Sequence, residues 1–350
     1  MAQLFNLIFS DEPQDEFIKF TDQLLKIFQS CRINFLIGAG ASQPAINVAG
    51  NIEKEVSDLY KADNDNEATN KLYSFLQEIS VVNSKLSETT LNGDVAITHD
   101  AYKEFIKHIE TILTERKTKI LPRQVNIIST NYDLFVERVV GESAVLNLND
   151  GFKRTANYSG KFKFSASSFF TSQYSNGNLY NYKVELPSIN LLKLHGSLSW
   201  SIDESINEII YNRPIFSMLP DIENKEVFLD NIALVLPRKH KFEQTVLQLI
   251  YYDLLRLFAN ELDRENVLLM SFGFSFADEH IYEIVKRSLK NPTLKLIIFA
   301  YNNVARQKYS KLFADYNNVT IVYSGDDSKP VNFNALNRLL ASVLPSYKEL

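Results

Sequence analysis

An α/β fold built on a doubly wound parallel sheet is what the sequence predicts, and three observations predict it. Short apolar runs alternate with amphipathic stretches through the last third of the chain. A glycine-rich turn, Gly38-Ala39-Gly40-Ala41-Ser42, follows the apolar run 33–37. Further polar or glycine-rich clusters close other apolar runs. Such alternation implies parallel strands covered on both faces, and right-handed crossovers then wind the chain outward in both directions.

In chain order, residues 15–30 read as an amphipathic helix, because Phe17, Phe20, Leu24, Ile27 and Phe28 recur at helical spacing. Strand 33–37 and its glycine turn come next. A helix is expected directly behind the turn, with its free N–H groups and positive dipole end facing the turn. From about 50 to 120 the pattern changes: segments 51–60, 69–79 and 99–114 carry helical periods around a polar stretch at 63–66, which predicts a helical insertion. Residues 125–129 form a strand, and Asn131-Tyr132-Asp133 leads into a helix through Val140. Residues 150–188, rich in Phe, Tyr, Ser and Asn, predict an irregular or β-hairpin insertion. Residues 191–194 make a strand ending at His195-Gly196-Ser197, and 232–236 a further strand before Pro237. Beyond it, helix 244–261, strand 267–271, helix 278–289, strand 294–300, helix 304–313, strand 319–323 and helix 331–344 alternate. The chain reads as a single domain over 14–345, without internal repeats.

Composition narrows the function. The 350 residues are 45% hydrophobic, enough for a large core. Lys and Arg number 37 against 42 Asp and Glu, a net charge of -5, so no direct nucleic-acid binding is expected. The single cysteine, Cys31, excludes an intrachain disulfide and a thiolate zinc site. No apolar run approaches the roughly 20 residues of a membrane span. Residues 1–10 lack a basic segment ahead of a long apolar core, so no signal peptide is expected and the expected address is cytoplasmic.

In a parallel sheet, ligands sit beyond the carboxyl ends of the strands. Four clusters fall there, at 38–42, 130–133, 195–197 and 273–275, and they should converge on one crevice. Gly38, Ala39 and Gly40, with Ser42 beside them, let a pyrophosphate approach the backbone. The turn departs from the dinucleotide fingerprint, since Gln43 replaces its third glycine and no acidic residue closes a second strand. No Lys-Ser/Thr pair follows, which excludes a Walker loop. A tight turn without a ligand is the alternative. Asn131, at a strand end, can orient a water or a ribose hydroxyl, or serve the structure alone. Asp133 bonds a hydroxyl or caps the next helix. His195, followed by glycine, is free of crowding, and imidazole suits proton transfer near neutrality. Gly273 and Ser275 offer backbone and hydroxyl to phosphate or ribose, or simply make a turn, and Gly325-Asp326 is of the same type. The sequence does not identify the residues that hold an adenine; Tyr301 or Asn302, at the end of run 294–300, are candidates by position alone. His99 and His108 lie on the helical insertion, His240 beside Lys239 and Lys241, and His280 at a helix start. None has ligand spacing to a partner, so no metal is expected.

In this order the clusters resemble the sirtuin (silent information regulator) superfamily, whose NAD domain is Rossmann-like. Gly38-Ala39-Gly40-Ala41-Ser42 matches that family's first NAD loop, and Thr130-Asn131-Tyr132-Asp133 its Asn-x-Asp motif. Lys193-Leu194-His195-Gly196 matches its catalytic-histidine motif, and Gly273-Phe274-Ser275 its Gly-Thr-Ser loop. Two features depart from the protein deacylases of the family. Their four-cysteine zinc ribbon is missing, since 197–231 contains no cysteine, and Gln43-Pro44-Ala45-Ile46 stands in place of their Arg-x-x-Gly-Ile-Pro-Asp-Phe-Arg stretch. Leu234-Val235-Leu236-Pro237 with Lys241, then the long helix and Gly273-Phe274-Ser275-Phe276, resembles the bacterial branch. Members of that branch act as NAD-hydrolysing effectors in antiviral defence, often beside a HerA-type ATPase, an Argonaute or another phage sensor. The resemblance implies NAD as the substrate, Asn131 and His195 as catalytic groups, and Gly38, Ala39, Gly40, Ser42, Asp133, Gly273 and Ser275 around the dinucleotide. It also implies a homo-oligomer gated by a partner protein. An NAD or ADP-ribose sensor or scaffold is the alternative, and both departures weigh against NAD-dependent deacylation.

Overall fold

The computed structural model describes residues 1–9, 14–47, 50–116, 120–153, 161–176, 183–203, 208–211, 224–236 and 245–344. The chain opens with strand β1 (Gln3–Asn6), helix α1 (Asp15–Ser30) and strand β2 (Arg32–Ile37). A 3-10 turn (Ala39–Ser42) leads to helices α2 (Gly50–Lys61), α3 (Asp65–Leu86) and α4 (Gly93–Thr114). Strand β3 (Gln124–Ser129), helix α5 (Phe135–Glu142) and strand β4 (Asn147–Asn149) follow. A second 3-10 turn (Ala166–Phe170) precedes strands β5 (Tyr174–Asn176), β6 (Lys183–Glu185), β7 (Ser188–Lys193), β8 (Gly196–Asp203) and β9 (Glu208–Tyr211). Helix α6 (Lys225–Asn231), strand β10 (Ile232–Leu234) and helix α7 (Thr245–Leu262) come next. The chain continues with β11 (Val267–Phe272), α8 (Glu279–Ser288), β12 (Leu294–Phe299), α9 (Asn303–Leu312), β13 (Val319–Tyr323) and α10 (Phe333–Val343).

Eight strands form the central sheet in the order β1-β13-β12-β11-β2-β3-β7-β4, and every pairing in it is parallel. The chain steps from β2 through β3 to β7, then returns to lay β11 against β2 and steps out through β12 to β13. The sheet is therefore a doubly wound, Rossmann-like α/β sheet, as the alternating pattern predicts, with its switch between β2 and β11. Both faces are covered, so β7 and β11 are buried at every position. Phe35, Ile37, Ile127, Leu191 and Met270 pack beneath α1, α4, α5 and α10. Leu36, Ile128, Leu192 and Leu269 pack beneath α7, α8 and α9.

One row across this second face is polar. Asn34, Asn126, Asn190 and Asn149 stand in register on four neighbouring strands. Asn126 Nδ2 donates to Asn34 Oδ1 at 2.8 Å, Asn190 Nδ2 to Asn126 Oδ1 at 2.9 Å, and Asn149 Nδ2 to Asn190 Oδ1 at 3.0 Å. The carboxamides of buried Asn34 and Asn190 and half-buried Asn126 and Asn149 thus satisfy one another, and an unpaired amide there is costly.

Several local expectations are corrected. No helix follows the glycine turn directly. Gln43 is extended (ψ 146°), as the residue before a proline tends to be, and α2 starts only at Gly50. The helix after Asn131 begins at Phe135, leaving 131–134 as a separate turn. Residues 232–234 do form a strand, but it pairs antiparallel with β8 in a small sheet of order β10-β8-β9. Strand β8 itself has a period-two signal, Leu198, Trp200 and Ile202 between serines, that the sequence reading passed over. Residues 150–188 contain the antiparallel pair β5–β6 and the start of β7. Pro237, His240 and Lys241 lie outside the described residues.

Asn126→Ala leaves Asn34 Oδ1 and Asn190 Nδ2 without their partners, so it is expected to lower the unfolding free energy by about 2–3 kcal/mol. Urea unfolding measures this, and a loss under about 0.5 kcal/mol, the range of neutral surface changes, would show that the row contributes nothing.

Candidate active site

The register pairs Phe272 with Ile37, Ile37 with Ser129, and Ser129 with Lys193. Four neighbouring strands, β11, β2, β3 and β7, therefore end in one row. The segments beyond them rise side by side, straddling the switch point at which doubly wound sheets hold ligands.

The loops after β2 and β11 interlock. Gly38 N–H donates to Phe272 O at 3.1 Å, and Gly40 N–H to Gly273 O at 3.0 Å. A Cβ on Gly38 would lie 2.6 Å from Gly273 O, and one on Gly273 2.5 Å from Ala41 N. Gly273 also has φ +65°, a conformation that side chains disfavour. The glycines are thus required first by the contact between the two loops. Ala39 and Gly40 remain partly exposed at the top. Ser275 is exposed, and its carbonyl accepts from Lys308 Nζ at 2.9 Å.

Asn131, Ser42 and Asp133 form one buried group, at 7%, 1% and 4% exposure. Ser42 Oγ donates to Asp133 Oδ2 at 2.6 Å. Asn131 Nδ2 donates to Gly38 O at 3.1 Å and to Ser42 Oγ at 3.0 Å, which commits both amide protons. Among the described residues Asn131 Oδ1 has no partner. The Tyr102 hydroxyl lies 3.3 Å from Ser42 Oγ, and burial together with the Asp133 charge pushes its phenol well up. Asp133 Oδ1 accepts from Phe135 N at 3.4 Å, so its carboxylate serves both the serine and the helix start. Below this turn, buried Lys193 donates to the carbonyls of Asn131 (3.3 Å) and Asp133, and lies 3.4 Å from Glu137 Oε1.

His195 is 8% exposed at the next strand end. Its Nε2 lies 3.0 Å from Asp278 Oδ2, while Asp278 Oδ1 caps α8 by accepting from Ile281 N at 3.0 Å. Burial raises the Asp278 carboxyl, but the His195 hydrogen bond, the Ile281 amide and the charges of His195 and His280 outweigh it and hold the group low. The Tyr132 and Tyr251 rings flank the imidazole at centroid distances of 6.5 and 6.4 Å. Burial and the Asp278 charge push the Tyr251 phenol up. Gly196, with φ +82°, sits where a Cβ would be 2.2 Å from Ala233 O, so glycine is needed for β10 to pass.

The structure therefore gathers Gly38, Gly40, Ser42, Asn131, Asp133 and Gly273, sets His195 beside Tyr132, and leaves Ser275 at the rim. Asn302 caps α9 through Ala305 N and Tyr301 is 51% exposed, with no contact to the buried group among the described residues. Asp278 was missed as a site residue. Its only signal was a cap residue placed just past the Gly-Phe-Ser loop. Among the described residues no group of three His, Cys, Asp or Glu side chains is placed to hold a metal, and no helix is long and apolar enough to cross a membrane. A separate cavity of about 370 Å³ opens toward the opposite, amino-terminal end of the strands, beside Arg32, Gln124, Phe169 and Arg264.

Residues 125–321, more than half of the chain, match the SIR2-like domain. The chain belongs to the SIR2-like family. SIR2-like domains bind NAD, and an NAD-related function follows for this member. The matched span includes Asn131, His195, Gly273 and Asp278. The Gly38 loop lies outside it and is joined to it by the hydrogen bonds to Phe272 and Gly273. No curated protein matches the chain.

Gly273→Ala forces a side chain into positive φ and against Ala41 N. It is expected to cost at least about 1–3 kcal/mol in urea unfolding, and an unchanged midpoint would contradict the interlock. Burial pushes the Glu137 carboxyl up from 4.5 to about 7, against the pull of Lys193. With the folded value above the unfolded one, the stability this group contributes is present below pH 4.5 and is lost as pH rises through about 7. Glu137→Gln is expected to flatten the fall in stability over that window, and parallel pH profiles for the two proteins would refute it.

Proposed function

We propose that the chain hydrolyses NAD at the nicotinamide–ribose bond, giving nicotinamide, ADP-ribose and a proton from NAD and water. The observation that carries this reading is Asn131 Oδ1, a buried acceptor without a partner at the head of the four-strand row. Buried polar atoms without partners are rare, and one beside glycine loops fits a group that a ligand satisfies. Membership of a family that binds NAD names the ligand.

The chemistry asks little of a general acid. The pyridinium ring leaves as neutral nicotinamide, so its departure needs no proton, and positive charge grows at C1′. The protein must hold the ribose, favour that charge and supply a water. Asn131 Oδ1 accepts a hydroxyl of the ribose or of the water and turns the negative end of its dipole to the site. His195 takes the proton from the attacking water. The backbones of Gly38, Ala39, Gly40 and Gly273, with Ser275 at the rim, hold the pyrophosphate. The Ser42 and Asp133 side chains are engaged with one another and aim the Asn131 amide.

The resemblance to bacterial sirtuin-like effectors extends the reading to NAD depletion in antiphage defence. A free NADase would harm its host, so a homo-oligomer and a partner such as a HerA-type ATPase serve as the gate. Phe170 and Tyr174, 64% and 59% exposed on the aromatic segment, support an interface there.

Asn131→Ala and His195→Ala are each expected to lower nicotinamide release at least about a hundredfold, read by chromatography. Near-parental turnover in either folded variant sinks the assignment. Intact NAD with the parent chain and its partner, together with tight ADP-ribose binding, favours a sensor instead.

A further inference from the structure

The carboxylate that touches the candidate catalytic imidazole comes from a different element, and its geometry restricts what the imidazole can do. Asp278 is held at two points. One oxygen accepts the Ile281 amide at the start of the ten-residue helix α8, and the other lies 3.0 Å from His195 Nε2. An ionised carboxylate has no proton to give, so in neutral imidazole the Nε2 atom must be the donor. The other nitrogen, Nδ1, then carries the lone pair. Among the described residues Nδ1 has no hydrogen-bond partner. Among the described residues, the remaining titratable groups around the ring are the Tyr132 and Tyr251 phenols, with the His280 charge felt through Asp278. The Tyr132 hydroxyl is turned away, donating to Val235 O at 2.7 Å.

We propose that Asp278 is a positioning residue of this site, fixing His195 in the Nε2–H tautomer so that Nδ1 is the atom that receives the proton from water. This deepens the hydrolase reading and rests on it for the identity of the reaction. The step balances simply: the water O–H bond breaks, its oxygen forms the bond to C1′, the electron pair of the C1′–nitrogen bond leaves with nicotinamide, and the proton passes to Nδ1. Asp278 keeps its hydrogen bond throughout and stabilises the imidazolium that results.

Asp278→Ser separates this role from helix capping. Serine is a good N-cap, so the Ile281 amide keeps an acceptor and the thermal midpoint is expected to stay close to the parent's, while the shorter side chain no longer reaches His195. The expected result is a fall in kcat of at least about a hundredfold with KM for NAD changed less than about threefold. Asp278→Asn tests the same point with the cap and the volume retained. Nitrogen-15 NMR of the histidine rings at pH 8, with His195→Gln to assign the resonance, reads the tautomer without any turnover. The parent is expected to show Nε2–H, and Asp278→Ser a mixture with Nδ1–H. A parental kcat in Asp278→Ser overturns the proposal, and so does an Nδ1–H tautomer in the parent. If the parent releases no nicotinamide, the hydrolase reading has failed and the spectra alone decide this one. Nε2–H in the parent, lost in Asp278→Ser, upholds the positioning, and the same tautomer in both overturns it.

Discussion

The common end-point of β11, β2, β3 and β7 is the constraint on which the rest of the site depends. The hydrogen-bonded ladders set it, pairing Phe272, Ile37, Ser129 and Lys193 in one line. A slip of one residue in any of these pairings would turn that strand's side chains to the wrong face and carry its loop out of line. The polar asparagine row pins the same register from within the core, since Asn34, Asn126 and Asn190 satisfy one another only when the strands are level. With the ends fixed, the Gly38 and Gly273 loops are close enough to interlock, and Asn131 is close enough to reach Gly38 O.

Orientation is then a matter of proton inventory. Ser42 donates its one hydroxyl hydrogen bond to Asp133. Ser42 therefore accepts from Asn131, whose second amide proton goes to Gly38 O, and the amide oxygen is the atom left over. The same logic runs from Asp278 to His195. In each case a carboxylate, buried at Asp133 and half-buried at Asp278, acts at one remove, converting a side chain with two orientations into one with a single orientation. Lys193 supports the turn from below by taking its two carbonyls, with Glu137 close by as an acidic partner. Burying these charges is costly, and stability alone gives little reason to keep them.

Much of this was legible in the sequence because it is local. Apolar runs that end in Gly-Ala-Gly, Asn-Tyr-Asp, His-Gly or Gly-Phe-Ser disclose a strand and what lies beyond its carboxyl end, and the alternation after residue 245 discloses parallel winding. What stayed hidden is non-local. The bonds that aim the site join residues 93, 91 and 83 positions apart, and no spacing rule reports them. Residues 232–234 looked like one more strand of the main sheet because pairing partners are not written in a strand's own pattern. The missing helix behind the glycine turn was legible in principle, since Pro44 disfavours helical backbone at Gln43.

The most direct test of the central claim is a crystal structure with a non-hydrolysable NAD analogue whose ring oxygen is replaced by carbon. The account predicts the pyrophosphate against the backbone of Gly38–Ser42 and the nicotinamide ribose, or a water beside it, within hydrogen-bond reach of Asn131 Oδ1 on the His195 side of the row. Binding only at the opposite, amino-terminal end of the strands, beside Arg32 and Arg264, or a ribose remote from Asn131, would contradict it.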